Sequence, residues 1–219
     1  MQNSVKNLLE IENIIKSNLR DLNSQNNSKI IAVSKTFNLD KIMPLINHGH
    51  KNFGENKVQE AVEKWTEIKK KNPNIKLHMI GKLQTNKVKF AVKLFDYIHS
   101  VDSQKLANKI SEQEKKVNKK INIFIQVNIG DEVQKSGINQ DEVYDLVNYC
   151  KNLNLNVIGL MCIPPQGKEP GIYFEKVSLL NKKFGFSELS MGMSSDYMKA
   201  IQYNATYLRI GSSIFGKRI

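Results

Sequence analysis

Arginine is almost missing from this chain. Of 33 basic residues only three are Arg (Arg20, Arg209 and Arg218), and the rest are Lys. Set against 21 acids they give a formal net charge of +12, which suggests nucleic acid or an anionic ligand. The lysines, however, are scattered along solvated stretches such as "EIKKKNPNIK" and "EQEKKVNKK". Aromatic residues do not interleave with them as they do in single-strand binders. Nucleic acid is therefore not an expected partner; a Lys- and Asn-rich, Arg-poor composition is what codon bias toward A and T produces.

Cysteine is as scarce. Cys150 and Cys162 stand in no metal-type spacing, and both are expected to be buried, reduced thiols. No run approaches the roughly 18 apolar residues that cross a bilayer, and the opening "MQNSVKNLLEIENIIK" lacks the apolar block of a signal peptide. The expectation is a soluble, cytoplasmic protein with no membrane partner. No Pro- or Gly-rich linker divides the chain, so residues 1–219 are expected to form one domain and, at this size, a monomer. A hydrophobic content of 40% suffices for a substantial core.

What is present is a rhythm. Short apolar runs of four to seven residues alternate with longer amphipathic ones. A first helix spans about residues 4–23, with Val5, Leu8, Ile11, Ile15, Leu19 and Leu22 at steps of three and four. Strands are then predicted at 30–34, 51–54, 76–81, 97–101, 121–128, 156–162, 188–191 and 206–211, each followed by a helix or a short turn. Ser103 and Pro170 are expected helix starts, and Gly49 and Gly185 expected helix ends. Eight β–α units imply a parallel sheet, and in one undivided chain a closed (β/α)8 TIM barrel with an extra N-terminal helix. The alternative, a doubly wound sheet, would carry a Gly-rich turn after its first strand; "VSKTFN" contains no glycine.

In such a barrel the carboxyl ends of the strands form the active face. They are expected to present Ser34-Lys35, then Gly54-Glu55-Asn56, Gly81, His99-Ser100, Asn128 and Met161. The last two ends run into "SMGMSSD" and "RIGSS". These two turns, before short helices and at the barrel positions that often hold phosphate, suit an anion: unpaired backbone N–H groups, small residues and serine hydroxyls converge there. Lys35 ends a wholly apolar run, where partial desolvation favours a neutral, nucleophilic amine. A ligand bearing both an aldehyde and a phosphate would use both features, and pyridoxal 5′-phosphate is such a ligand. Arg209, a permanent cation, would keep the nitrogen of a pyridine ring unprotonated.

The stretches "AVSKTF", "FGENKVQEA", "LHMIGKLQTNK", "IFIQVNIGDEVQKSGI", "GLMCIPP", "LSMGMSSDY" and "RIGSSIFGKR" run in order from about residue 30 to 218. Together they resemble the pyridoxal phosphate homeostasis proteins, the YggS/PROSC family of PLP-binding barrels, whose fold is like the barrel domain of bacterial alanine racemase. The resemblance implies pyridoxal 5′-phosphate held as a Schiff base on Lys35. It further implies that Ser194, Gly211 and Ser212 hold the phosphate, that Arg209 faces the ring nitrogen, and that Asn56 lies beside the ring. Gly81 and the turn at residues 84–87 would line the mouth. Lys82 and Ser212 stand where family members often carry other residues. The implied role is vitamin B6 homeostasis without catalysis, with PLP-dependent apo-enzymes as possible recipients. The alternative is a PLP-dependent racemase, which would need a second acid or base on the face opposite Lys35.

Overall fold

The computed structural model describes residues 3–22, 27–132 and 136–216. Helix α1 (Asn3–Asp21) turns Val5, Leu8, Ile11 and Ile15 inward. Residue 23, which the spacing includes in this helix, and residues 133–135 and 217–218 of the quoted stretches lie outside the described residues. Eight strands follow: β1 (Lys29–Val33), β2 (Asn52–Glu55), β3 (Lys76–Met79), β4 (Tyr97–Val101), β5 (Asn122–Val127), β6 (Asn156–Cys162), β7 (Glu188–Met193) and β8 (Tyr207–Ile210). Between and after them run α2 (Leu39–Asn47), α3 (Val58–Lys71), α4 (Val88–Leu94), α5 (Gln104–Val117), α6 (Val143–Asn152), α7 (Pro170–Lys183), α8 (Tyr197–Gln202) and α9 (Ser212–Phe215).

Each strand pairs in parallel with the next, and β8 pairs with β1, so the sheet closes. A closed sheet leaves no edge, which is the arrangement the uninterrupted β–α rhythm predicts. Local chemistry agrees at the expected signals. The Ser103 hydroxyl accepts from the Leu106 amide and caps α5. Pro170 opens α7. Gly49 and Gly185 take positive φ just beyond their helices, where a Cβ would be strained. Helix α1 lies between α8 and α2 in the outer ring, and the Asn7 amide donates to the Ile214 carbonyl, tying α1 to α9.

Side chains alternate along a strand, so every second residue faces the barrel axis. In β1 that series is Lys29, Ile31, Val33 and then Lys35. Ile31 packs with Phe124, Met161 and Tyr207 in the barrel's own core, separate from the larger core between sheet and helices. The two cysteines are buried, and burial pushes each thiol up to about 12, as expected of inert, reduced groups.

Two glycines show how tightly the staves fit. A Cβ at Gly54 would stand 2.8 Å from Ile31 Cγ2, and one at Gly159 would stand 1.8 Å from the Glu188 carbonyl oxygen of β7. The second obstacle is backbone and cannot rotate away. Gly159→Ala is accordingly expected to lower stability by about 3 kcal/mol, the upper part of the usual overpacking range. Urea titration followed by the fluorescence of Trp65, the single tryptophan and fully buried, measures it; an unchanged midpoint would contradict the close β6–β7 approach.

Candidate functional site

At the carboxyl ends of the strands lies a cavity of about 810 Å³. Its lining includes Lys35, Asn56, Ser194, Arg209, Gly211 and Ser212, the six residues singled out from the sequence, along with Gly81. Apolar walls come from Val33, Ile80, Ile163 and Met193. The volume suits a small organic ligand with a few polar grips.

Strand geometry explains how the polar residues meet. Lys35 continues the inward series of β1, and Arg209 and Gly211 continue that of β8. The two strands are hydrogen-bonded neighbours, with Ile31 opposite Arg209 and Ala32 opposite Ile210. Asn56 extends the inward series of β2, and its buried Oδ1 has no hydrogen-bond partner. The turn after β7 joins the turn after β8 through one hydroxyl. Ser194 Oγ accepts from the Gly211 N–H at 3.2 Å and from the Ser213 N–H at 3.4 Å. Two backbone donors thus converge on one point in the cavity wall, both at the long end of the hydrogen-bond range. Asp196 Oδ1 accepts from the Met193 amide and fixes the first of these turns.

The glycines of the two turns also answer to packing. A Cβ at Gly211 would sit 3.3 Å from Val33 Cβ, and one at Gly192 2.7 Å from Ala200 Cβ. Gly192 also has φ +87°. Packing against α8 and a positive φ require Gly192, and Gly211 lies in tight contact with β1. The cup offers serine hydroxyls and backbone amides along a chain path that the glycines set.

Arg209 is buried, 4% exposed, and its hydrogen bonds run to neutral groups: Nη1 to Ser190 Oγ at 2.7 Å and Nη2 to the Cys162 carbonyl at 2.8 Å. Burial lowers its pKa from the usual value; a guanidinium nonetheless keeps its charge. Beneath it runs a chain through the barrel interior. Ser190 Oγ is 2.8 Å from His99 Nδ1, His99 Nε2 is 3.0 Å from His78 Nδ1, and His78 Nε2 is 3.1 Å from Asn52 Oδ1. The amide oxygen at the foot accepts, so His78 carries its proton on Nε2 and accepts on Nδ1. His99 then donates from Nε2 and accepts on Nδ1, and the Ser190 hydroxyl donates to it while accepting from Arg209. With both imidazoles neutral every contact has one proton. Burial, first of all, pushes both histidines well below the ordinary value; neighbouring positive groups, including Lys29 at the foot and Arg209 at the head, act in the same direction.

Several expectations are corrected here: Glu55 turns away from the axis toward α3, and Ser100 and Asn128 do not line the cavity. His99 does not stand at the mouth; it is fully buried and linked into the axial chain. Met161 lies in the barrel core, and Ile163, two residues on and just beyond β6, reaches the cavity. Residues 84–87 form the short 3₁₀ turn Thr85–Lys87 outside the cavity lining. The sequence does not single out Phe37 and Met193, which line the cavity with Ser213, nor the histidine chain. The period-two series through His78 and through His99 is the signal that could have found the latter.

A barrel with an amine, a buried guanidinium and a hydroxyl-and-amide cup around one cavity is a small-molecule-binding barrel. The sequence model of the alanine racemase N-terminal domain matches residues 12–218. The chain belongs to that family and, within it, to the pyridoxal phosphate homeostasis proteins. It is 38% identical over 201 residues to the pyridoxal phosphate homeostasis protein of Pasteurella multocida, covering 87% of this chain and 86% of the relative. With the protein of that name from Aquifex aeolicus it shares 37% identity over 218 residues, 95% of each chain. Among solved structures, PipY of Synechococcus elongatus with PLP bound superposes with a TM-score of 0.80 at 32% identity, covering 92% of this chain and 100% of that one. Alanine racemase of Clostridium difficile, 16% identical, shares the barrel at a TM-score of 0.73, over 99% of this chain and 57% of its own.

The neutral histidines make stability depend on pH. Burial also lowers His50, to about 4. In the unfolded chain all three take protons near pH 6.5. Their contribution is complete above that value and is lost as pH falls, because the unfolded state gains protons that the fold refuses. Urea unfolding between pH 7.5 and 5 is expected to show a falling midpoint. His99→Gln should flatten the slope by up to one proton, about 1.4 kcal/mol per pH unit. A slope identical to wild type would show that His99 takes its proton in the fold as readily as in the unfolded chain.

Proposed function

We propose that this chain binds pyridoxal 5′-phosphate in the cavity at the barrel mouth and serves its homeostasis in the cytoplasm, as a single-domain, monomeric carrier without catalysis. The observation that carries the reading is the convergence of Lys35 and the Ser194–Gly211–Ser212 cup on one cavity. The bound state of PipY, at 32% identity, supports it, as do the names of the relatives.

The residues present fit the group. Pyridoxal 5′-phosphate supplies an aldehyde, a basic ring nitrogen and an anionic phosphate. Lys35 would hold the aldehyde carbon. Ser194, Ser212 and the N–H groups of Gly211 and Ser213 would hold the phosphate. Ser194 Oγ now occupies those two amides at long distances, so a charged oxygen would gain stronger bonds than it displaces. Arg209 would face the ring nitrogen, and its fixed positive charge disfavours a proton there. An unprotonated ring withdraws electrons less strongly, which suits storage better than bond breaking. The unpartnered Asn56 Oδ1 offers an acceptor beside the ring.

The lining also bears on catalysis. Among the described residues, its titratable side chains are Lys35 and Arg209. Arg209 stays charged and cannot shuttle protons. A two-base reaction would need an acid or base from elsewhere. Recipients of the carried group would be PLP-dependent apo-enzymes. Among the described residues no helix is long and apolar enough to cross a membrane.

The test is chemical. Protein mixed with pyridoxal 5′-phosphate is expected to develop an absorption band that borohydride makes permanent, with peptide mapping placing the adduct on Lys35. Lys35→Ala should lose the trapped adduct while keeping weaker binding through the cup. Adduct on other lysines with none on Lys35 would overturn the site. Racemisation of amino acids at enzyme-like rates would overturn the non-catalytic role.

A further inference from the structure

On the outer side of the sheet, directly behind Lys35, lies a second polar cluster. Glu55, the last residue of β2, points away from the barrel axis, and its side chain is fully buried between sheet and α3. Its Oε1 accepts three bonds: from Ser34 Oγ at 2.7 Å, Trp65 Nε1 at 2.9 Å and Lys64 Nζ at 3.1 Å. Lys64 Nζ also donates to the Ser34 carbonyl at 3.0 Å and to Glu60 Oε1 at 2.9 Å. Glu60 Oε1 in turn accepts from the Thr36 N–H at 2.6 Å.

These contacts grip both neighbours of Lys35: the hydroxyl and carbonyl of Ser34 before it and the amide of Thr36 after it. The grip has something to hold. Thr36 has φ +68°, a left-handed conformation that a β-branched residue rarely adopts. Such strain persists only where surroundings over-determine it, and it gathers at functional sites. Glu55 Oε2 is buried with no partner, a cost that core packing alone would not retain. Burial pushes the Glu60 carboxyl up, but the bonds from Lys64 and the Thr36 amide outweigh it and hold the group below the ordinary value.

We propose that Glu55, Lys64 and Glu60 are positioning residues that lock the strained Ser34–Lys35–Thr36 turn and so aim the Lys35 amine across the cavity at the aldehyde. The inference rests on the reading of Lys35 given above. In the step concerned, the neutral lysine nitrogen would bond to the aldehyde carbon, and the aldehyde oxygen would leave as water with the two amine protons. No oxidant or reductant takes part. None of the three residues lines the cavity, so their effect falls on the geometry of attack and leaves the phosphate grip untouched.

The experiment separates these two quantities. Glu55→Gln, Lys64→Met and Glu60→Ala are compared with wild type in two measurements. One is the rate of covalent capture of pyridoxal 5′-phosphate, followed by absorbance and trapped with borohydride. The other is the affinity for 4′-deoxypyridoxine 5′-phosphate, which keeps the ring and phosphate but has no aldehyde. Misaiming by a fraction of an ångström is expected to slow capture roughly ten-fold or more, with analogue affinity within about two-fold of wild type. Glu60 is partly exposed on a helix, so its alanine variant tests the idea even if Glu55→Gln fails to fold. Trp65 fluorescence reports the fold in Lys64→Met and Glu60→Ala. Unchanged capture rates in folded variants overturn the inference, and so does an equal loss of capture and analogue affinity. If wild type itself forms no adduct at Lys35, the reading of the site fails first, a distinguishable result.

Discussion

The pairing of β1 with β8 is the constraint on which the site depends. It joins residues nearly the whole chain apart and closes the sheet. Because β8 runs parallel to β1 and in register with it, the inward series of both strands emerge side by side at the same end. Lys35 and Gly211 meet there for that reason alone. The contact is close enough that Gly211 can carry no side chain without pressing on Val33. An open sheet of the same strands would leave β1 and β8 on different edges or in different neighbourhoods, and amine and cup would share no cavity. Closure is thus an energetic matter, removing two edges, and also the step that creates the binding site.

Closure also creates a dry axis, and the electrostatics follow from it. A guanidinium in that axis meets a serine hydroxyl and a backbone carbonyl. A carboxylate there would neutralise it. Neutral partners leave its field directed into the cavity, where an electron-rich nitrogen or an anion would feel it. The histidines below answer the same constraint from the other side. Held neutral by burial, they pass one hydrogen bond to the next from Ser190 to Asn52 without adding charge. The chain fixes the Ser190 hydroxyl, and through it the plane of Arg209. The guanidinium thus sits near the mouth with uncharged hydrogen-bond partners.

Most of this was legible in the sequence wherever period two governs. The alternation 29, 31, 33, 35 requires only that "KIIAVSK" be a strand, and it delivers the lysine to the axis. The same holds for Arg209 and Gly211 after Tyr207. Legibility fails where strand ends are irregular. The ladders shift register within β4–β5 and β7–β8, so counting along "YIHSV" does not show that His99 lies below the mouth. Counting along "NVIGLMC" stops two residues short of Ile163. The reason for Gly192 and Gly211 was hidden because it lies in partners distant along the chain, Ala200 and Val33. The clamp on Ser34 and Thr36 was hidden differently. Glu55 could be read at a strand end, but its outward direction and its meeting with Lys64 and Trp65 require the packing of α3 onto β2.

Abundant lysine makes the question of what distinguishes Lys35 a physical one. An amine becomes a specific reagent through restraint of its direction, since composition offers the same group on every helix. Lys64 and Lys69 show the ordinary alternative: each is spent on carboxylates at the helix layer. Lys35 instead leaves the last inward position of an apolar strand, on a turn whose next residue is held in a left-handed conformation. A left-handed threonine reverses the chain immediately after the lysine and carries the backbone out of the cavity. Were that turn to relax toward an extended path, the backbone of residues 36 and 37 would move and the amine would lose its fixed origin. A glycine at position 36 would make the same reversal without strain, but it would permit many other paths as well. Strain held by three charged groups gives a single path, and a single path is what an amine reacting at one carbon in a cavity of about 810 Å³ requires.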